Sequence, residues 1–469
     1  MSKIFPPNFL WGSATSSYQI EGAWLAEGKG LHIWDVFSHT PGRTAEADNG
    51  DVACDHFHRY KEDIALMARL GLKAYRFSIA WTRIQPDGKG EVNQEGIAFY
   101  NNLINELLAN GIEPWVTLHH WDMPAALQTE DDGWLGRASI DYFAAFSRIC
   151  FAAFGDRVKH WITLNESWVM AILGYHNGIF APGRKSDSEP YIVGHHLILA
   201  HATAAKVYRD EFQTSQGGVI GMTNNCDWRE PLTDSPADHA AAQRSVEFLL
   251  AWFTDPIYLG DYPQVMKDRL GDRLPVFTDE EKVLIKGSSD FFGLNHYTTM
   301  YAADVPPGTK EEHSVYANPG VYKDQYVALT PAPEWELTEM QWPVVPWGLR
   351  KLLLWINERY HHPPIYITEN GCAMPDSVVD GEVADPRRID FLDGYLGAVH
   401  EAIAGGADVR GYFLWSLMDN FEWASGYDKR FGMVHIDFET LERTPKHSAK
   451  WYSGVIERNG LGGDAYSTR

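Results

Sequence analysis

The stretch IYITENG, at residues 365–371, has the composition of a buried β-strand that ends in an acid. Ile365, Tyr366 and Ile367 are β-branched or aromatic, two prolines precede them, and Gly371 follows. A short apolar run of this kind usually lies inside a parallel sheet. The stretch HWITLNE, at residues 160–166, has the same pattern and also ends in a glutamate. Two apolar strands that each end in a carboxylate indicate a fold that places strand ends at a functional site.

Apolar strands alternate with amphipathic helices along the chain. Helices are predicted over residues 60–70, 96–109, 140–154, 348–360 and 388–404, where apolar residues recur at helical spacing and glycine stops the first three. Strands are predicted over residues 9–14, 74–81, 114–121, 160–166, 217–225, 291–297, 365–371 and 411–418. Eight strands in alternation with helices are typical of a (β/α)8 TIM barrel. We therefore expect one α/β catalytic domain, residues 1–469, a single TIM barrel with long βα loops at its C-terminal face.

The segment at residues 298–345 interrupts this alternation. It is long, rich in proline and glycine, and without helical periodicity, so we expect an irregular loop. Because it follows the sixth predicted strand, it would lie at the C-terminal face of the barrel, where long loops are usually functional. We expect it to shape the entrance to an active site.

Composition and charge exclude several classes of protein. Apolar residues make up 45% of the 469 residues and charged residues 22%, as in soluble globular proteins. The net charge of −23 repels phosphates, so nucleic acid is not an expected partner. No apolar run reaches the length of about 18 residues that spans a membrane, and residues 1–11 lack the apolar core of a signal peptide. We expect a cytoplasmic protein without a membrane partner, as monomer or homo-oligomer.

Cysteine spacing predicts neither a disulfide framework nor a zinc site. The four cysteines are scattered and form no CxxC pair: Cys54, Cys150, Cys226 and Cys372. Cys54 lies near His56 and His58, but so close a grouping more often marks a loop or the start of a helix than a metal site. No metal is expected.

Polar side chains occupy the ends of the predicted strands, which line the active site in a TIM barrel. Glu166 ends the fourth strand and Glu369 the seventh, so the two carboxylates can face each other across one pocket. That arrangement suits glycoside hydrolysis, in which one carboxylic acid protonates the leaving oxygen and the other attacks or stabilises the sugar. Other strand ends supply polar groups and aromatic rings for a sugar: Arg76, His120, Trp121, Asn165, Asn295, Tyr297, Trp415 and Glu422.

Motifs along the whole chain resemble those of glycoside hydrolase family 1, the β-glucosidases and β-galactosidases. They are FPPNFLWGSATSSYQIEG at residues 5–22, YRFSIAW at 75–81, TLHHWDMP at 117–124, TLNE at 163–166, GLNHY at 293–297, YITENG at 366–371, WSLMDNFEWASGYDKRFG at 415–432 and RTPKHSAKWY at 443–452. One such motif would be weak evidence, but so many in the same order do not arise by chance.

The resemblance implies a role for each matching residue. Glu166 is the expected general acid/base and Glu369 the expected nucleophile, with Arg76, Asn295 and Tyr297 around the nucleophile. The glycone sugar would be bound by Gln19, His120, Trp121, Asn165, Trp415, Glu422 and Trp423, and the aglycone entrance would be lined by Trp168 and Trp342.

The mechanism that the resemblance implies is double displacement with retained configuration through a covalent glycosyl-enzyme. Such enzymes hold the two carboxyl groups about 5–5.5 Å apart. Glu166 must begin protonated and Glu369 ionised. We therefore expect burial and a nearby negative charge to raise the pKa of Glu166, and Arg76 to lower the pKa of Glu369. No cofactor is implied.

Free β-glucosides are the substrates that the resemblance favours. They comprise cellobiose, short cellodextrins and aryl or alkyl β-glucosides, while β-galactosidase, β-fucosidase and transglycosylation activities stay open. Relatives that act on 6-phosphorylated sugars carry serine and lysine where this chain has Glu422 and Trp423, which disfavours a 6-phospho-β-glucosidase. A non-catalytic glycan-binding protein is a further alternative, and the presence of both glutamates counts against it. Ser167 stands where the family commonly has proline and, as a good N-cap residue, would affect the start of the next helix.

Overall fold

Eight parallel strands form a closed barrel in the computed structural model, which describes residues 3–306 and 324–462. In chain order the strands are β1 (Leu10–Ala14), β2 (Ala74–Ser78), β3 (Glu113–His119), β4 (His160–Asn165), β5 (Val219–Asn225), β6 (Phe292–Asn295), β7 (Ile365–Asn370) and β8 (Val409–Trp415). Each strand pairs with its neighbours in this order, and β8 pairs with β1, where Trp415 lies opposite Ala14. The predicted TIM barrel is confirmed.

Helices connect the strands and cover the outside of the barrel. The longest are His56–Arg69, Gln94–Ala109, Ser139–Phe154, Glu189–Val207, Pro346–Arg359, Pro386–Ala404 and His447–Arg458. The shorter α-helices are Ser17–Ile20, Ile33–Ser38, Trp81–Ile84, Ala125–Glu130, Ser167–Val169, Thr214–Gln216, Pro236–Val246, Trp252–Leu259, Gln264–Leu270 and Asp279–Ile285. Single turns of π-helix or 3₁₀-helix occupy Met170–Gly174, Tyr208–Gln213, Glu247–Ala251, Ala26–Gly28, Ala45–Ala47, Gly133–Leu135, Gly271–Arg273 and Trp423–Ser425. The five predicted helices are present, and each begins one to four residues earlier than its apolar stripe indicated.

Packed aromatic side chains close the N-terminal end of the barrel. Trp115, near the start of β3, is fully buried, and its ring centroid lies 4.0 Å from that of His160 and 5.0 Å from that of Phe413. Such layers of side chains make the inside of a TIM barrel a core and not a channel. The opposite end, where the strands terminate, is therefore the end at which a pocket can form.

The segment at residues 298–345 contains secondary structure that the sequence did not reveal. Strand Thr299–Asp304 pairs antiparallel with Val327–Thr330 and parallel with Trp228–Pro231, which gives a three-stranded sheet beside the barrel. The prediction of an irregular loop was wrong here because strand formation depends on partners elsewhere in the chain. Residues 307–323, the middle of this segment, lie outside the described residues.

Two small antiparallel ribbons complete the sheets. Lys3–Ile4 pairs with Gly460–Leu461, and Val434–Ile436 pairs with Arg443–Pro445. All four cysteines are free thiols and buried. Within residues 3–306 and 324–462, no helix is long and apolar enough to cross a membrane.

His32 begins the helix Ile33–Ser38 and anchors one wall of the barrel top. Its Nδ1 accepts the backbone N–H of Asp35 at 3.3 Å, while the Asp35 carboxylate accepts the N–H of His32 at 2.9 Å, a reciprocal capping box. Burial lowers the pKa of His32, which keeps the ring neutral and able to accept this bond. The capped helix holds Trp34 with its ring centroid 4.6 Å from that of Trp423, at the edge of the pocket described next.

Candidate active site

Glu166 and Glu369 line one pocket at the C-terminal end of the barrel. Glu369 lies in β7, and Glu166 directly follows β4. Only 6% of Glu166 and 3% of Glu369 is exposed. The other described residues that line the pocket are mostly aromatic or apolar: His120, Trp121, Val169, Leu173, Phe180, Tyr297, Met340, Trp342, Trp415, Glu422, Trp423 and Phe431. The structure thus brings together two carboxyls from distant parts of the sequence.

Two donors hold the carboxylate of Glu369. Arg76 of β2 donates from Nη1 to Oε1 at 2.6 Å, and the hydroxyl of Tyr297 donates to Oε2 at 2.7 Å. Arg76 is fully buried. It also donates from Nη1 to the Thr368 carbonyl at 3.0 Å and from Nε to Thr117 Oγ1 at 3.1 Å. Because both carboxylate oxygens accept hydrogen bonds, one of them from a cation, the arrangement favours the ionised form of Glu369.

Glu166 has a less polar environment and an unusual backbone. Its Oε1 accepts a hydrogen bond from Asn295 Nδ2 at 2.9 Å. Its φ of +50° lies in the left-handed region, and Glu166 occupies the N-cap position of the helix Ser167–Val169. The expectation that Ser167 acts as the N-cap was wrong, because Ser167 is already the first helical residue. The helix start is set by the backbone of Glu166.

Burial raises the pKa of both carboxyls, and neighbouring groups then make the two pKa values differ. The charge of Glu369 adds to the rise at Glu166, and the pKa of Glu166 lies well above its ordinary value. Arg76 and Tyr297 oppose the rise at Glu369, but burial is the larger effect there and the pKa is still raised. The expected net lowering of the Glu369 pKa is therefore not observed; Arg76 limits a rise that burial causes. The surroundings thus favour the protonated form more strongly at Glu166 than at Glu369.

Asn165 connects the groups around the two carboxyls. Its Oδ1 accepts from Arg76 Nη2 at 2.6 Å and from Asn295 Nδ2 at 3.1 Å, and its Nδ2 lies 3.1 Å from Nε2 of His120. Asn295 in turn accepts from Thr368 Oγ1 at 2.8 Å. Five strand ends, those of β2, β3, β4, β6 and β7, are joined in this way. The network fixes the orientation of the side chains that hold the two carboxyls.

Gln19 and Glu422 form a polar corner of the site. Gln19 Nε2 donates to Asn420 Oδ1 at 2.9 Å and to Glu422 Oε2 at 3.5 Å, and its Oε1 accepts from Ser16 Oγ at 2.7 Å. Burial and the charge of Glu369 raise the pKa of Glu422 to about 8. Glu422 is therefore largely protonated at neutral pH and offers both a donor and an acceptor.

Aromatic rings surround this corner. The Trp121 ring centroid lies 4.5 Å from that of Trp423, and Trp121 Nε1 donates to the Asn165 carbonyl at 2.9 Å. The Trp415 ring is nearly parallel to that of His120, at 5.9 Å and 18°. The apolar faces of these rings suit the C–H faces of a pyranose, beside the polar corner that suits its hydroxyls.

Three pocket residues have left-handed backbones: Trp121 at φ +72°, Glu166 at +50° and Trp423 at +50°. Residues other than glycine rarely adopt this conformation, which costs about 1–3 kcal/mol and persists only where surrounding contacts impose it. All three line the pocket, although described residues elsewhere, such as Asp55 and Asn459, adopt the same conformation. This agrees with a site whose geometry is imposed by the fold.

The two tryptophans predicted at the entrance take different positions. Trp342 lines the pocket, and its ring centroid lies 5.4 Å from that of Tyr297. Trp168 is only 3% exposed and packs into the main hydrophobic core, whereas Val169 and Leu173 line the pocket. Successive helical residues point about 100° apart, so a shift of one residue decides which side chain enters the pocket.

Several contributing residues were not singled out from the sequence. Thr117, Thr368 and Phe431 lie inside recognised motifs, so membership of those motifs was an available signal. Met340 lies beside Trp342 in the stretch MQWP at residues 340–343, which resembles the family, whereas Phe180 lines the pocket from a loop without such a signal. Their positions depend on tertiary packing.

One side-chain cluster away from the pocket has the spacing of metal ligands. Asp376, Asp419 and His435 each place one oxygen or nitrogen within 4.8 Å of the others. Cations already neutralise them: Lys446 Nζ lies 2.8 Å from Asp419 Oδ1 and contacts Asp376, and Arg430 Nη1 lies 2.8 Å from Asp419 Oδ2. This cluster is an ion-pair network, and we assign no metal to it.

The sequence matches a known protein family over nearly its whole length. The family described as Glycosyl hydrolase family 1 matches residues 1–461. Beta-glucosidase 42 of Arabidopsis thaliana is 49% identical over 466 residues, which covers 97% of this chain and 94% of the relative. Coniferin beta-glucosidase of Pinus contorta is 47% identical over 481 residues, which covers 98% of this chain and 93% of the relative.

Solved structures of similar proteins share the fold. A family 1 β-glucosidase from Thermotoga maritima matches with a TM-score of 0.92 at 44% identity, covering 98% of this chain and 100% of that chain. A rice β-glucosidase mutant in a covalent complex with glucose matches with a TM-score of 0.91 at 44% identity, covering 96% of this chain and 98% of that chain. A further structure of the Thermotoga enzyme contains deoxynojirimycin.

Proposed function

Because the chain belongs to glycosyl hydrolase family 1 and is a β-glucosidase of that family, we propose that it hydrolyses terminal β-D-glucosides by double displacement with retained configuration. The observation that carries this mechanism is the unequal environment of two carboxyls in one pocket. Glu369 accepts from the guanidinium of Arg76 and the hydroxyl of Tyr297, whereas the neutral amide of Asn295 donates to Glu166. A retaining glycosidase needs one ionised and one protonated carboxyl side by side.

The charge of Glu369 controls whether Glu166 holds a proton at each step of this mechanism. In the first step ionised Glu369 attacks the anomeric carbon, while Glu166 gives its proton to the departing glycosidic oxygen. Formation of the ester removes the negative charge that raises the pKa of Glu166, so Glu166 becomes the base for the second step. Water, deprotonated by Glu166, then attacks the anomeric carbon, and Glu369 leaves as a carboxylate. The covalent complex of the rice relative with glucose supports an intermediate of this kind.

We propose an unphosphorylated glucosyl group as the glycone. Among the described residues that line the pocket, none is lysine or arginine, and phosphate sites are normally built with such cations. Repulsion by Glu422 is a weaker argument than the sequence indicated, since burial raises its pKa to about 8. Protonated Glu422 and Gln19 instead match the mixed donors and acceptors of sugar hydroxyls.

For the aglycone we propose aryl and alkyl groups, with cellobiose and short cellodextrins as additional substrates. Part of the pocket lining is apolar and includes Leu173, Phe180, Met340 and Trp342. Burial of an apolar aglycone against these side chains contributes about 25 cal/mol per Å². The similar pine enzyme is named for coniferin, which makes coniferin a natural first substrate to assay. Activity on β-galactosides and β-fucosides, and transfer to alcohol acceptors, belong in the same assay.

Azide rescue tests the two roles separately. Wild type, Glu369→Gly and Glu166→Gly would be assayed on p-nitrophenyl β-glucoside with and without azide, with Glu439→Gly at an exposed glutamate as control. We expect Glu369→Gly to be inactive alone and to form the inverted glycosyl azide when azide is added. Glu166→Gly should form the retained azide. A wild type that cleaves no free β-glycoside, or cleaves only 6-phosphoglucosides, would overturn the proposal.

A further inference from the structure

The backbone of Tyr297 lies where the pairing of two chain segments is interrupted. Strands β5 and β6 pair up to their ends, and the chain pairs again between Trp228–Pro231 and Thr299–Asp304. Between these two ladders, the two residues 226–227 lie opposite the three residues 296–298. An extra residue of this kind is left out of the ladder and can re-aim a side chain beside an active site. The peptide groups around Tyr297 therefore need partners outside the sheet.

The buried carboxylate of Asp227 supplies two of these partners. It accepts hydrogen bonds from the backbone N–H groups of Tyr297 and Thr298. Nη2 of Arg229 lies 3.8 Å from Oδ2 of Asp227. Burial raises the pKa of Asp227, and Arg229 and the two N–H donors oppose that rise. The cation and the donors thus favour the ionised carboxylate, which is the better acceptor for two N–H groups.

A tyrosine hydroxyl holds the carbonyl side of the same segment. Tyr395, fully buried on the helix Pro386–Ala404, donates to the Tyr297 carbonyl at 3.3 Å and accepts the N–H of Val345 at 3.1 Å. Tyr297 itself lies in neither a helix nor a strand. Its backbone is nevertheless fixed, because Asp227 binds its N–H and Tyr395 binds its carbonyl.

We propose that Asp227 is a positioning residue for the hydrolysis: its carboxylate holds the peptide of Tyr297 so that the tyrosine hydroxyl reaches Glu369. That hydroxyl donates to Glu369 Oε2 at 2.7 Å, the ordinary length of an O–H···O bond. Because the hydroxyl is the outermost atom of the side chain, a small rotation of the peptide displaces it by a larger distance. This role rests on the proposed function, since it acts through the partner of the proposed nucleophile.

Asp227 also acts on Glu166 through its charge. Burial is the largest cause of the raised pKa of Glu166, the charges of Glu369 and Asp227 add to it, and Arg76 opposes it. Replacing Asp227 by neutral asparagine should therefore lower the pKa of Glu166. Since Glu166 must be protonated in the first step, the basic limb of kcat/KM against pH should move to lower pH. A residue that served only the stability of the fold would leave that limb in place.

A double-mutant cycle with Tyr297→Phe tests the positioning role. Wild type, Asp227→Ala, Tyr297→Phe and the double variant would be compared by kcat/KM on p-nitrophenyl β-glucoside. We expect Asp227→Ala to lose at least about tenfold, because a hydrogen bond to a charged group is weakened. In the Tyr297→Phe background the same change should cost less than about twofold, because the hydroxyl through which Asp227 acts is absent. Losses that multiply in the double variant would overturn the proposal.

Asp290→Ala is the matched control for the cycle. Asp290 also accepts a backbone N–H of β5, that of Ile220 at 2.9 Å, and also pairs with an arginine, Arg209, but at the opposite end of the barrel. This variant should keep the wild-type kcat/KM. If Asp227→Ala does not fold, Asp227→Asn, which preserves the shape of the side chain, replaces it in the cycle with the same expected pattern.

The pH profile of Asp227→Asn gives the second readout. Its basic limb should lie at lower pH than that of wild type, while Arg410→Met, at an exposed arginine paired with Asp408, should leave the limb unchanged. An unmoved limb in Asp227→Asn would show that the charge of Asp227 does not act on Glu166. A wild type that does not cleave the substrate would overturn the proposed function and this role with it, whereas an active wild type with independent losses overturns the role of Asp227 alone.

Discussion

Arg76 and Glu369 lie 293 residues apart in the chain, on the non-adjacent strands β2 and β7, yet their side chains meet with 2.6 Å between Nη1 and Oε1. Both groups are buried, and Arg76 is held by Thr117, Asn165 and Thr368 as well. Because burial alone would favour a protonated Glu369, this contact with a cation favours its ionised form.

Replacing Arg76 by methionine should therefore shift the pH dependence of the reaction. Loss of a close opposite charge raises a carboxyl pKa by about 1–3 units. Since only ionised Glu369 attacks, the acidic limb of kcat/KM against pH should move upward by the same amount. The profile with p-nitrophenyl β-glucoside measures this, with Arg410→Met as control. An acidic limb that stays at its wild-type pH would show that Arg76 does not set the ionisation of Glu369.

Tyr297→Phe should reduce catalysis without changing the fold. The substitution deletes only the hydroxyl that donates to Glu369 Oε2 at 2.7 Å. A hydrogen bond to a charged group contributes about 1.5–3 kcal/mol, so kcat/KM should fall about 10- to 150-fold. Steady-state kinetics measure the loss, and Tyr142→Phe, at a half-buried tyrosine outside the pocket, is the matched control. A loss no larger than that of the control would contradict the role of the hydroxyl.

Glu166→Gln should make hydrolysis depend on the leaving group. The variant cannot supply a proton, so glucosides of alcohols should lose at least about 10²–10⁴-fold in the first step, the usual contribution of general acid catalysis. Dinitrophenyl β-glucoside, whose leaving group needs no proton, should form the glycosyl-enzyme nearly as fast as in wild type. Pre-steady-state release of dinitrophenol separates this step from hydrolysis. Equal losses on both substrates would assign the proton to another group.

Glu422→Gln should stabilise the protein at neutral pH. Burial raises the pKa of Glu422 from 4.5 to about 8, so the stability that this side chain contributes is fully present below pH ~4.5 and is lost as the pH rises towards 8. Glutamine does not ionise, so the variant should have a free energy of unfolding roughly 2–3 kcal/mol higher than wild type near pH 7. Near pH 4 the free energy of unfolding should not rise in this way.

Urea unfolding at the two pH values measures the effect of Glu422→Gln. Glu439→Gln, at an exposed position, is the control and should change little at either pH. If the Glu422 variant gains no stability between pH 4 and pH 7, the side chain is ionised in the folded protein at pH 7.

Local pattern was sufficient to predict the barrel. The helix Gln94–Ala109 and the strand Glu113–His119 lie within two residues of their predicted limits, because apolar spacing and a glycine stop are features of the segment itself. The strand Thr299–Asp304 was missed because one of its partners, Trp228–Pro231, is about 70 residues away in sequence. The strand Val327–Thr330 was missed because, among the described strands, it pairs only with Thr299–Asp304, across the intervening segment. Pairing over such distances leaves no periodic signal in the segment.

The candidate site was predictable to the level of strand ends but not of side-chain direction. The rule that strand ends line the pocket correctly indicated that Glu166 and Glu369 would share it. It did not reveal the left-handed backbone of Glu166, after which Ser167 is the first helical residue. Nor did it reveal that Val169, in place of Trp168, lines the pocket. The pKa of Glu422 likewise depends on neighbours that only the fold supplies. The catalytic roles stay predictions for azide rescue to test.

Because β8 pairs with β1, the barrel can close only late in the synthesis of the chain on the ribosome. Ser13 of β1 donates to the carbonyl of Leu414 in β8 across 401 residues of chain. During synthesis one edge of the first strand therefore lacks its partner until nearly the whole polypeptide has been translated. An open strand edge is a template for pairing with other chains. A chain that ends before β8 contains both glutamates but lacks the strand that closes the barrel.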